Sequence, residues 1–118
     1  LNYTQAHEAC QAKGAVLTSV KTFDKLTIVR SLVIGNMAWV GADDLGKQGS
    51  FTWKLDFSTL TNETLKSVFA PGEPNNAGGN EHCVQYYYVN KMLNDDKCSI
   101  RYGYVCEMPL PFYHNIFY

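Results

Sequence analysis

Four cysteines constrain this chain more than any other feature. Cys10, Cys83, Cys98 and Cys106 form an even set with no C-x-x-C pair of the kind zinc sites use. Disulfides in an oxidising compartment are therefore favoured over zinc, although the count alone leaves several pairings open. Two sequons, Asn2-Tyr3-Thr4 and Asn62-Glu63-Thr64, agree with a secretory route. A secreted, extracellular protein is expected. Leu1 stands in place of an initiator Met, with no basic segment or apolar signal core after it, which reads as a processed or trimmed chain.

A chain of 118 residues has material for one core, and halves of it would be too small to bury one unaided. With 46% hydrophobic and 18% charged residues it can fold, and no apolar run approaches the roughly 20 residues of a membrane helix. A formal charge of -1 and a pI near 6.3 offer little attraction to phosphate backbones or anionic membranes. Nucleic acid is therefore not expected as a partner, and the lack of a long apolar run argues against membrane insertion.

Two helices are expected first. Asn2 precedes Gln5 by the spacing of a capping box, Tyr3, Ala6, Ala9 and Cys10 follow a helical period, and Gly14 is a stop. A second helix starts near Thr22 or Asp24, carries Phe23, Leu26, Val29, Leu32 and Val33 as core, and ends at Gly35-Asn36. Short strands follow at Ala38–Gly41, Phe51–Trp53, Cys83–Val89, Met92–Asn94 and Tyr102–Met108. Between Lys54 and Asn80 no period holds, and Ala70–Asn80 is loop by composition. Helices followed by strands, without β-α-β alternation, indicate an α+β fold with mostly antiparallel pairing. The aromatic tail, residues 109–118, is set apart from residues 1–108; after its Pro-Leu-Pro step, Phe112–Tyr118 is expected to pair with Tyr102–Met108.

Oxygen donors concentrate in the long loop and the strand beyond it: Glu73, Asn75, Asn76, Asn80 and Glu81, then Asn94, Asp95 and Asp96. Carboxylate and amide oxygens suit a hard cation. Calcium, which takes six to eight oxygens in flexible geometry, fits better than magnesium with its tight hydrated octahedron.

At this point the sequence resembles the C-type lectin domain over nearly its whole length. The features are Cys10 followed by Gly14-Ala15-Val16-Leu17, Trp39-Val40-Gly41-Ala42, Phe51-Thr52-Trp53, Pro71-Gly72-Glu73-Pro74-Asn75, Glu81-His82-Cys83-Val84, Leu93-Asn94-Asp95 and Tyr104-Val105-Cys106-Glu107. Their order and spacing are together specific. The resemblance implies disulfides Cys10–Cys106 and Cys83–Cys98 in a lectin-like fold, with two helices packed on antiparallel sheets. It implies a calcium site of Glu73, Asn75, Glu81, Asn94 and Asp95 that also binds sugar, and a cis Glu73-Pro74 peptide. The Glu-Pro-Asn spelling implies sugars with equatorial 3- and 4-hydroxyls, of the mannose, fucose, glucose or N-acetylglucosamine type. Partners would be terminal sugars of glycans or glycoproteins, with a homodimer or higher oligomer and a role in innate immunity. The rival implied by the same fold is a protein-binding or ice-binding domain without sugar recognition.

Departures from the family pattern are also legible. Leu93 stands where a Trp usually precedes Asn-Asp, and Phe69 where a Trp is common. At the family's accessory calcium site Asp44 survives, while Gln48, Asn76 and His82 replace acids. The strand that normally precedes the first helix is missing, and the tail is expected to replace it or to pair with a second copy. His7, His82 and His114 show no zinc spacing. Glu73 and Glu81 are not read as glycosidase acids, because amide neighbours and calcium are expected to keep both ionised, so no catalytic residue is assigned.

Overall fold

The structure, a computed structural model, describes residues 1–109 and 114–118. Helix α1 spans Tyr3–Gln11 and begins with the expected capping box: Asn2 accepts from the Gln5 amide at 2.9 Å, and the Gln5 side chain accepts from the Asn2 amide at 3.1 Å. It buries Tyr3, Ala6 and Cys10. Helix α2 spans Phe23–Leu32, capped by the Thr22 hydroxyl. Its Leu26 and Val29 are buried, but Phe23, expected in the core, is 51% exposed beneath the Arg30 guanidinium. At helical spacing Phe23 falls to one side of the stripe formed by Leu26 and Val29, so its ring flanks the core instead of entering it.

A third helix, α3, spans Asn62–Val68 and corrects the expectation of two. Thr61 caps it through a bond from the Thr64 amide, and only Thr64 and Val68 are fully buried. Two turns are too short for an apolar period to repeat, which is why the stretch looks aperiodic.

Two sheets share the load. In the smaller, β1 (Val16–Leu17) pairs antiparallel with β7 (Cys106–Pro109), which pairs antiparallel with β8 (His114–Phe117). In the larger, β3 (Thr52–Trp53), β2 (Ala38–Asp43), β4 (Cys83–Tyr87) and β5 (Met92–Asp96) lie side by side, with β6 (Gly103–Tyr104) parallel to β2. The expected single strand Tyr102–Met108 is thus two strands in different sheets. Buried Val105 makes the crossing: its amide donates to Trp39 O, and its carbonyl accepts from the Thr18 amide.

Val20, Leu26, Val29, Val40, Trp53, Val68, Val84 and Leu93 share the main core, while Tyr3, Leu17 and Trp39 form a second cluster around Cys10, Cys83 and Cys106. The disulfides are Cys10–Cys106 and Cys83–Cys98, as the resemblance implies. The tail pairs through β8 with β7, in the register Cys106↔Phe117. Phe112 and Tyr113, included in the expected pairing, lie outside the described residues.

Candidate metal centre

The donor loop leaves α3 and returns at β4, and β5 pins its start. Ala70 N donates to Leu93 O at 3.0 Å, and Phe69 bridges to Leu93, whose side chain is fully buried. Leu93 therefore supports the loop where the family usually places a Trp. Alternation along β5 buries Leu93 and Asp95 and leaves Met92, Asn94 and Asp96 half-buried.

Asp95 closes the loop onto the strand. Its carboxylate accepts from the Asn75 amide at 3.0 Å and from the Asn76 amide at 2.6 Å. The Glu73–Pro74 peptide is cis. The Asn75 side-chain amide donates to Glu73 at 2.6 Å, and its oxygen accepts from Ala77 N. Asn76 adopts a left-handed conformation, which Asn tolerates, and its side chain accepts from the Glu81 amide at 2.9 Å.

Glu73, Glu81 and Asp95 thereby converge, with a ligand oxygen from each lying within 4.8 Å of the others. None of the three forms an ion pair with a cationic side chain among the described residues. Burial, reinforced by the Asp95 carboxylate, pushes the Glu73 carboxyl up to about 7. Glu81 is also raised by burial, with Asp95 and Asp96 adding repulsion. In the ion-free fold, burial and the Asp95 carboxylate work against the Asn75 amide hydrogen bond, which favours the ionised form of Glu73.

Asn75 and Asn94 line the same depression as the three acids, a hollow of about 330 Å³. Asn94 is engaged elsewhere, because its amide donates to Asn90 and to Met92 O and its oxygen accepts from Asn90. Met37, Ala77, Gln85, Tyr87 and Asp96 complete the wall. Of these, Gln85 and Tyr87 were legible only as members of the expected strand Cys83–Val89. Met37 arrives from the link after α2, and Asn90 from the β4–β5 turn, without a local signal.

The donors fit calcium. Side-chain oxygens of Glu73, Asn75, Glu81, Asn94 and Asp95, with a main-chain oxygen of Asp95, would supply the six that calcium requires at minimum. At the accessory position, buried Asp44 pairs with His82 Nδ1 at 3.0 Å and accepts from Gly49 N at 2.8 Å. Gln48 and Asn76 line the hollow beside it.

Comparison with known proteins agrees with this architecture. The family model described as "Lectin C-type domain" matches residues 1–108. C-type lectin domain family 4 member K of Mus musculus is 31% identical over 88% of this chain, which spans 31% of that protein. C-type lectin 37Da of Drosophila melanogaster is 30% identical over 92% of the chain, with 63% of its own length covered. The chain thus spans about one third to two thirds of these relatives. A lectin of Polyandrocarpa misakiensis is 32% identical, with 93% of this chain and 90% of its own length covered. Among solved structures, the carbohydrate-recognition domain of cow CD23, crystallised with a GlcNAc2Man3 oligosaccharide, superposes with a TM-score of 0.78. It is 27% identical, over 90% of this chain and 78% of its own. A calcium-independent type II antifreeze protein, 20% identical over 90% of this chain and 77% of its own, shares the fold with a TM-score of 0.75. With the family match spanning nearly the whole chain and both disulfides in place, the chain belongs to the C-type lectin domain family.

Proposed function

We propose that this domain is a calcium-dependent, non-enzymatic sugar-binding module, and that Glu73, Asn75, Glu81, Asn94 and Asp95 hold the ion and the sugar together. The observation that carries the reading is the convergence of three carboxylates that form no ion pair with a cationic side chain among the described residues, flanked by amide side chains. Calcium bound there would neutralise the carboxylates and accept lone pairs from two vicinal sugar hydroxyls. The chain's own groups supply the direction of the hydrogen bonds. Carboxylates of Glu73 and Glu81 accept hydroxyl protons, while amide hydrogens of Asn75 and Asn94 donate to hydroxyl oxygens. The Asn75-to-Glu73 bond shows one acid-and-amide pair already juxtaposed. The Glu73-Pro74-Asn75 spelling, through the family resemblance, supports a preference for equatorial 3- and 4-hydroxyls of the mannose, fucose, glucose or N-acetylglucosamine type.

A single shallow site binds sugar weakly, so a dimer or higher oligomer on a secreted protein would add avidity. The test is retention on mannose-agarose with calcium, followed by elution with chelator, free mannose or free galactose. Elution by chelator and mannose, but not by galactose, is expected. Retention that survives chelation would favour a calcium-independent surface instead, and turnover of chromogenic glycosides would overturn the non-enzymatic reading.

A further inference from the structure

Two joined depressions beside the acidic centre carry the opposite charge. One, of about 490 Å³, is lined by Met37, Tyr88, Arg101 and Tyr102. The other, of about 370 Å³, is lined by Arg30, Ile34, Tyr88 and Lys91. They share Gly35 and Tyr88, and Met37 lines both the first of them and the acidic hollow, so the three lie next to one another. Tyr102 marks the junction: its hydroxyl donates to Asp96 Oδ2 at 2.5 Å, and Asp96 lines the acidic hollow.

No Asp or Glu lines either basic depression, and Arg30, Lys91 and Arg101 have no carboxylate partner among the described residues. Arg30 is nevertheless held in place, with its Nε donating to Lys91 O at 2.8 Å and its guanidinium over the Phe23 ring. Three cations without a carboxylate partner among the described residues thus line two adjoining depressions of a chain whose formal charge is -1. Tyr88, 45% exposed, and Ile34, 79% exposed, place apolar surface among them. Guanidinium and ammonium donors match sulfate or carboxylate oxygens, and an aromatic ring matches the apolar face of a sugar.

We propose that the joined depressions form a second subsite for an acidic group, a sulfate or a carboxylate, carried further along a glycan whose terminal sugar occupies the acidic centre. The full assignment rests on the calcium-lectin reading, because that centre anchors the terminal sugar. Surface ion pairs are individually weak and salt-screened, so the three cations together are expected to strengthen binding by about tenfold at low ionic strength.

The experiment titrates the calcium-loaded chain with a neutral mannose-terminated oligosaccharide and with its sulfated and uronate-bearing counterparts. At least one acidic probe should bind about tenfold more tightly than the neutral one, and high salt should erase the difference. The Arg30→Gln/Lys91→Gln/Arg101→Gln variant should lose that advantage while keeping its affinity for methyl mannoside and its melting temperature. A gain for one acidic probe alone identifies the accepted group. No gain for either, or a gain retained by the variant, overturns the proposal. A parallel titration of the sulfated and uronate-bearing probes in chelator, read from amide shifts of Arg30, Tyr88 and Arg101, separates this subsite from the calcium centre. Shifts there without retention on mannose-agarose would leave the subsite standing while the calcium reading fails, and no shifts with either probe would overturn the subsite.

Discussion

Glu73 sits between two opposing demands. In the metal-free fold, burial and the neighbouring Asp95 raise its pKa to about 7, so the folded state favours the protonated acid. Its contribution to stability is then fully present below the ordinary carboxylate pKa and is lost as pH rises through about 7. Calcium requires the carboxylate, so metal affinity runs the other way. Calorimetry should show calcium affinity falling by up to about tenfold per pH unit below 7, with further loss as Glu81 protonates. Equal affinities at neutral and mildly acidic pH would contradict this. Gly41 illustrates a purely steric demand. A Cβ there would lie 2.3 Å from the Leu17 carbonyl oxygen, and Gly41 N already donates to Thr18 O at 2.7 Å. Because the obstacle is backbone, Gly41→Ala should cost more than about 2 kcal/mol in denaturant melts. An unchanged midpoint would show that β1 can move away from β2.

At the scale of elements, β5 links core to site. Leu93 is fully buried in the main core, while its carbonyl anchors Ala70 at the root of the donor loop and its neighbours Asn94 and Asp95 line the acidic hollow. Leu93→Ala should cost about 2–5 kcal/mol through the cavity it leaves. It should also weaken calcium binding, because Asp95 depends on the same strand for its position. A loss of stability with calcium affinity unchanged would show that the loop is held by Asp95 alone. These couplings explain which parts of the molecule were legible in sequence. α1 was legible because its cap, its apolar period and Gly14 agree locally, and the convergence of Glu73, Glu81 and Asp95 because each lies in a short motif with ordered spacing. α3 was not, since its two turns bury little and its start depends on Thr61. The break at Val105 was not, since it is imposed by hydrogen bonds to Trp39 and Thr18, distant in sequence. Met37 and Asn90 reach the site only through tertiary folding and the β4–β5 turn, and Phe23 failed as a core residue because it lies to one side of the stripe formed by Leu26 and Val29.

At the scale of the molecule, the two disulfides divide their work between the fold and the site. Cys10–Cys106 closes a sequence separation of 96 and ties α1 to β7, well apart along the chain from the donor loop. Cys83–Cys98 closes a separation of 15 and ties β4 to the segment after β5, so its loop contains Asn94 and Asp95 and starts two residues after Glu81. In the chain-entropy model the longer bridge stabilises by about 4.7 kcal/mol and the shorter by about 3 kcal/mol. The longer bridge should therefore dominate stability and the shorter should dominate metal binding. Calcium that binds only the folded state stabilises it by about 2.7 kcal/mol at a hundredfold excess over its dissociation constant. Each paired Cys→Ala variant can thus be melted with and without the ion at a fixed concentration. Cys10→Ala/Cys106→Ala should melt lower yet keep a calcium-dependent stabilisation close to that of the parent. Cys83→Ala/Cys98→Ala should lose less intrinsic stability but show a reduced calcium increment, because β4 and β5 no longer hold Glu81 and Asp95 at a fixed separation. Equal calcium increments in the two variants would mean that the β4–β5 hydrogen-bond ladder, not the covalent bridge, fixes the donor geometry.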